Sequence, residues 1–283
     1  MQQYKIIHRT YYNYPCAVTL GEQVLLLRPR EDHSLRIKTF ELNIEPKATL
    51  RWHKDVQNNS VCIATFKTPT TQLMIESESV VEQYNQSPLN FLVADYALSY
   101  PFTYTPTDYF MLSPYLTLPS MDVIKVLNSW ISQFWQVGQS IQTYELLQKM
   151  AEYIFNNMRY NIREEPGVQS AIYTIEKNSG SCRDFAYLFM SSARCLGFAA
   201  RFVSGYLYAP LMSDEVGSTH AWSEVYVPGA GWIGFDPTIG KIVGSDHIAV
   251  AVADLPESIP PVGGSFSGAK ESTMSVGVWV SSF

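Results

Sequence analysis

At 283 residues, with 46% hydrophobic and 16% charged residues, the chain is long enough to bury a sizeable core and too apolar to stay disordered. A net charge of −6 without any run of basic residues argues against nucleic acid or an anionic membrane as partner. No stretch reaches the ~20 apolar residues of a membrane span, and the first sixteen residues hold no signal-peptide core, so a cytoplasmic protein is expected.

Residues 1 to 85 read as β structure. "YKIIHRTYYNY", "EQVLLLRPR", "RIKTFELNIEP", "SVCIATFKT" and "TQLMIESESVV" are short runs rich in β-branched and aromatic residues, separated by turn formers. Phe40, Leu42 and Ile44 alternate with polar residues, as one face of a half-buried strand does. This spacing predicts an N-terminal antiparallel β-sandwich. Residues 86 to 119 alternate proline with aromatics without a period and are expected to form an irregular connecting arm.

A core over 120 to 283 follows. Ser120 can cap a helix whose inward face is Val123, Leu127, Trp130, Ile131 and Phe134. A second helix places Leu147, Met150, Ala151, Ile154, Phe155 and Met158 at core spacing. After "EEPGVQ" comes another helix-prone stretch, then "NSGSCRDFAYLFMSSARCLGF". From Ala199 the chain turns to strands: "ARFVSGYLY", "HAWSEVYV", "GWIGFDPT", "HIAVAVA" and "MSVGVWVSS".

Cys182 opens the helix of that middle segment, after Ser179, Gly180 and Ser181 and on the face of Phe185, Ala186 and Phe189; Gly197 is its stop. A helix N-terminus gathers unpaired N–H groups and the positive dipole end, which favours a thiolate and can hold an oxyanion. Cysteines at helix starts also serve as small buried hydrophobes, so Cys182 needs partners to count as a nucleophile. Cys195, Cys16 and Cys62 are expected to be inert core thiols; with no CxxC pair among the four, neither a disulfide framework nor a zinc site is expected.

The candidate bases are His8, His33, His53, His220 and His247. His220 starts a strand that turns through "PGAG" into a second strand ending near Asp236. Pairing Val227 with Trp232 puts His220 and Asp236 on opposite faces. Pairing Tyr226 with Trp232 makes them diagonal neighbours on one face, within reach of a hydrogen bond. His247 is accompanied by no nucleophile in sequence. Asp184 reads as a dipole partner in the first helical turn, Glu224 as a packing or salt-bridge residue, and Trp222, Trp232 and Tyr206 as either cleft lining or core.

The blocks "GSCRDFAYLFMSSARCLGFAARFVSGY" and "HAWSEVYVPGAGWIGFDPT" resemble the core of the bacterial transglutaminase-like superfamily, and "YKIIHRTYYNY", "LLLRPR" and "ELNIEP" resemble the β-rich N-terminal domain that accompanies it. The resemblance implies an α+β class: a β-sandwich followed by a papain-like, transglutaminase-like core with a Cys182, His220, Asp236 triad. It implies a thioester-forming cysteine hydrolase acting on amide or ester carbonyls of a peptide or protein substrate. Protein-glutamine transamidation and a non-catalytic scaffold retaining the triad are the alternatives. No cofactor or metal is implied, and no acidic loop with calcium-ligand spacing is present. The family's D-x-x-G-N turn is Asp55 to Asn59 here, with Asn58 replacing glycine. Tyr187 stands where many relatives have histidine, and Val252-Ala253-Asp254-Leu255 replaces a Gly-Arg-Asp-Tyr stretch.

Overall fold

One long strand, β1 (Gln2–Leu25), takes in the first expected strand and the start of the second, whose residues 26–30 leave the ladder. The computed structural model describes residues 1–84, 87–118, 120–163, 165–209 and 219–283; residues 85, 86 and 119, at the edges of the expected arm, lie outside the described residues. After β1 come β2 (Leu35–Glu45), β3 (Thr49–Lys54), β4 (Ser60–Thr65) and β5 (Thr70–Gln83). Next are β6 (Ser99–Tyr100), α1 (Pro106–Met111), α2 (Met121–Ile131), β7 (Ile141–Gln142), α3 (Thr143–Asn157) and β8 (Arg159–Tyr160). Then α4 (Ala171–Lys177), β9 (Ser179–Gly180) and α5 (Cys182–Cys195) lead into β10 (Ala200–Leu207), β11 (His220–Val227) and β12 (Gly231–Asp236). The chain ends with β13 (Lys241–Ile242), β14 (His247–Ala253), β15 (Val262–Ser267) and β16 (Thr273–Ser282).

β1 changes partners around Pro15, which has no N–H to give a ladder. Residues 2 to 13 pair with β5 on one edge, residues 4 to 13 pair with β16 on the other, and β5 pairs with β2. The register slips between Asn13 and Val18, and the second half of β1 pairs with β15 and β4. Tyr14, Val18, Leu20, Leu73 and Ile75 share one apolar cluster in this region. β15 and β16, which the sequence pattern assigned to the core over 120 to 283, thus complete the N-terminal sheet. Alternating Val276, Val278 and Val280 mark a strand but not its partner, and the free edge of β1 takes ten residues of ladder.

The expected irregular arm contains a short helix, α1, and two 3-10 turns. It is fastened by tyrosines: Tyr100 donates to the Leu196 carbonyl at 2.8 Å, and Tyr104 donates to the Tyr226 carbonyl at 2.7 Å while accepting from the Ala199 N–H at 3.0 Å. Ser120 precedes α2 but makes no side-chain cap. On α3 the buried stripe is Leu146, Leu147, Met150, Ala151 and Ile154; Phe155, expected inward, is 51% exposed because the stripe is phased one residue earlier.

α5 lies at the centre of the core, its Phe185, Ala186, Leu188 and Phe189 all but fully buried. It packs on an antiparallel sheet of order β13-β12-β11-β10-β14. Gly197, at φ 86°, turns the chain from α5 into β10.

The N-terminal sheet meets this core at specific polar contacts. Asn58 takes a left-handed φ of 61°, as its place in the Asp55 turn requires. That turn presents the buried Asn59, which donates to the Val252 carbonyl at 2.8 Å and accepts from the Val252 N–H at 2.9 Å. His8 meets the Tyr206 hydroxyl at 2.9 Å. Tyr4, Ile6, Val81, Tyr206 and Ile248 form the apolar layer around that contact. Among the described residues, no helix is long and apolar enough to cross a membrane.

Candidate active site

Cys182 is the first residue of α5, and the turn before it is tightly specified. A Cβ at Gly180 would lie 2.8 Å from Asp184 Cβ, so the helix start requires glycine there. β9 pairs in parallel with β8, setting Tyr160 opposite Gly180. Asp184 is fully buried, and its Oδ2 accepts from the Ser181 N–H and hydroxyl, both at 2.8 Å. Arg163 Nε donates to the same oxygen at 2.8 Å, and the Gln169 N–H donates to Oδ1 at 2.7 Å. Burial alone would raise the Asp184 carboxyl; the Gln169 and Ser181 N–H groups with Arg163 outweigh it and hold the carboxyl below its usual range. Asp184 is therefore more than a dipole partner. It ties the helix that starts at Cys182 to Arg163 and Gln169, and Arg183 adds bonds to the Arg163 carbonyl at 2.9 Å and the Glu165 carbonyl at 2.6 Å. Arg163 carried no signal in sequence, because its partner lies 21 residues away in another element.

The β11–β12 hairpin adopts the register that pairs Tyr226 with Trp232. His220 and Asp236 therefore share a face, and His220 Nε2 lies 2.6 Å from Asp236 Oδ2. An ionised carboxylate only accepts, so Nε2 carries the proton and Nδ1 is the ring nitrogen left for the thiol. Burial would lower the imidazole's pKa, but the Asp236 carboxylate more than reverses this, and a hydrogen bond with Cys182 adds to the rise. Asp236 is itself held well below the carboxylate range: its burial is outweighed by His220 and by hydrogen bonds from His220 and His247. The Cys182 sulfur also approaches the Thr219 carbonyl at 4.0 Å.

The sequence offers His247 only as a base without a nucleophile; its place beside Asp236 carries no signal there. Its Nε2 lies 3.0 Å from the same Asp236 Oδ2, so one carboxylate oxygen faces two imidazoles. The donor atoms of His220, Asp236 and His247 fall within 4.8 Å of one another, a grouping that is also a potential metal-ligand set. Here the two imidazoles hydrogen-bond the carboxylate directly, at 2.6 Å from His220 and 3.0 Å from His247.

Cys182 and His220 open into a cleft of about 420 Å³. Ile162, Val168, Phe202 and Ile259 form apolar walls, Tyr160 brings a phenol, and Glu257 an exposed carboxylate. The Tyr160 hydroxyl is pushed up to about 12, first by burial and then by Cys182. Trp222, Trp232 and Tyr206 line none of this cleft. Trp222 is buried against His247, Tyr206 faces His8, and Trp232 lies under Arg201, which Glu224 pairs at 2.6 Å. Burial pushes the Cys62 and Cys195 thiols up to about 11, in keeping with inert residues. Cys16 departs from the expected core position: it is exposed, because it follows Pro15 where β1 passes from one set of partners to the next.

Residues 136–237 match the transglutaminase-like superfamily, and residues 4–82 match the bacterial transglutaminase-like N-terminal region. An uncharacterised protein of Mycobacterium leprae is 24% identical over 95% of this chain and 94% of its own length. One of Mycobacterium bovis is 26% identical over 99% of this chain and 93% of its own. A candidate cysteine protease from Cytophaga hutchinsonii has the same fold: TM-score 0.75 at 19% identity, covering 99% of this chain and 90% of that one. The chain thus joins a bacterial transglutaminase-like N-terminal region to a core of the transglutaminase-like superfamily.

Proposed function

We propose that this chain is a cysteine hydrolase that cleaves amide bonds of a peptide or protein through a thioester on Cys182. The His220–Asp236 pair at 2.6 Å, beside a helix-start cysteine that lines the same cleft, carries the reading. Cys182 Sγ bonds to the carbonyl carbon while its proton passes to His220 Nδ1. The oxyanion is received by the Cys182 N–H and, as the second donor, the Tyr160 hydroxyl across the cleft. The C–N bond breaks as His220 returns the proton to the leaving amine. Water, deprotonated by His220, then releases the acid and regenerates the thiol. Asp236 orients the imidazole and stabilises its charged form. The apolar walls suit an apolar side chain near the scissile bond. We place the protein in a reducing compartment such as the cytoplasm, where its four free cysteines stay thiols.

The test is a peptide and glutamine-amide library incubated with and without an amine acceptor. Release of carboxylate by the wild type, absent from Cys182→Ala, supports hydrolysis. Predominant isopeptide formation would assign transamidation instead. Turnover retained by Cys182→Ala would refute the site.

A further inference from the structure

His247 is the group that the triad chemistry leaves unassigned. It is 5% exposed, starts β14, and is separated from Asp236 in the sheet by β10 and β11. The connection from β13 crosses the end of those strands and delivers it. Its tautomer is determined by the backbone. The Gly244 N–H donates to Nδ1 at 3.3 Å, so Nδ1 is the acceptor and Nε2 carries the proton donated to Asp236. Asp236 is fully buried, and its acceptors are accounted for by three donors: His220, His247 and the Thr238 N–H at 2.9 Å on Oδ1. Trp222 closes the other side, its ring edge-on to His247 at 5.2 Å.

The turn that carries His247 is held from the N-terminal sheet. Tyr4 on β1 donates to Asp246 Oδ1 at 2.8 Å, and Gln83 at the end of β5 donates to the His247 carbonyl at 3.1 Å. These two anchors come from strands far from the catalytic core in sequence.

We propose that His247 is a positioning residue: as a neutral Nε2–H imidazole clamped by Tyr4 and Gln83, it orients the Asp236 carboxylate toward His220, and through it the N-terminal sheet sets the geometry of the site. This inference rests on the reading of Cys182, His220 and Asp236 as a nucleophile, base and orienter. It gives the N-terminal region a direct part in the chemistry. Severing the clamp leaves Cys182 and its cleft in place but lets the carboxylate, and with it the imidazole, rotate.

The test measures alkylation of Cys182 by iodoacetamide at pH 6 on the full chain, followed by mass spectrometry, beside the melting temperature of each variant. His247→Leu removes the donor and lowers the Cys182 rate about tenfold. His247→Gln, whose amide N–H can take the place of Nε2–H, restores it to within threefold of wild type. Tyr4→Phe lowers it about threefold, though Tyr4 lies in the other sheet. A folded His247→Leu protein with a wild-type rate overturns the proposal, as does a His247→Gln no better than His247→Leu. His220→Ala serves as the control: if it leaves the Cys182 rate unchanged, the triad reading itself fails. Should His247→Leu not fold, nitrogen-15 spectra of the histidine rings in the wild-type protein decide. A neutral His247 protonated at Nε2 is expected, and an Nδ1–H tautomer or an imidazolium at pH 7 overturns the proposal.

Discussion

Replacing Asp236 with asparagine changes one atom in a closed hydrogen-bond set, so its consequences can be worked out bond by bond. Asp236 accepts from His220 Nε2 at 2.6 Å, His247 Nε2 at 3.0 Å and the Thr238 N–H at 2.9 Å. An asparagine amide has one acceptor atom and one donor group. If the nitrogen takes the place of Oδ2 it faces two N–H groups. His220 can answer by shifting its proton to Nδ1, where it can no longer receive the thiol's proton. His247 cannot, because the Gly244 N–H already occupies its Nδ1. If the amide flips, its nitrogen opposes the Thr238 N–H instead. In either orientation at least one buried donor loses its acceptor, at a cost of about 1–3 kcal/mol of stability. Turnover suffers separately, since a neutral amide cannot stabilise the imidazolium. The same change in a serine protease triad costs about ten-thousandfold. A thiol is far more acidic than a hydroxyl, so the loss expected here is roughly ten- to a thousandfold, about 1.4–4 kcal/mol of barrier. Urea unfolding and turnover of a cleaved peptide measure the two effects independently. Near-wild-type kinetics for both Asp236→Asn and Asp236→Ala would refute the role given to the carboxylate.

Native-state alkylation with mass-spectrometric readout should label Cys182 before Cys16, Cys62 and Cys195, since it alone combines a helix start with a neighbouring imidazole; Cys195 reacting first would contradict this. Burial lowers the His8 imidazole from 6.5 to about 4. Below the unfolded value only the unfolded chain takes up that proton, so stability is lost as pH falls from about 6.5 to about 4, by about 3 kcal/mol in total. Urea midpoints of wild type and His8→Gln should converge as the pH falls through this window; a difference between the two that does not change with pH would rule the account out. Deleting residues 272–283 strips ten ladder partners from β1 and should lower the melting temperature of the whole chain, not only of its C-terminal part. An unchanged melting curve would show that β16 is dispensable.

The alternation of apolar residues located most strands, and the i, i+3, i+4 stripes located α2, α3 and α5. The small residues before Cys182 and Gly197 marked the start and stop of the central helix. The hairpin left two registers open, and only one places His220 against Asp236; the fold selects it. A one-residue slip would have turned every side chain of β12 to the other face. Helix phase was legible to within a residue, which is why Phe155 was misread as core while Leu146 was overlooked.

The sequence by itself thus determined the local chemistry: a thiol at a helix N-terminus, an imidazole at a strand start and a carboxylate at the end of the next strand. These signals lie within one element or one hairpin, where spacing along the chain is nearly spacing in the fold. Tertiary structure alone decided that Arg163 meets Asp184, that β16 closes the edge of β1, and that His247 reaches Asp236 under the hold of Tyr4 and Gln83. Each of those contacts joins different elements, up to 242 residues apart for Tyr4 and Asp246. Its existence depends on which sheet edges and turns come together when the whole chain packs, and neither periodicity nor capping within one segment carries that information.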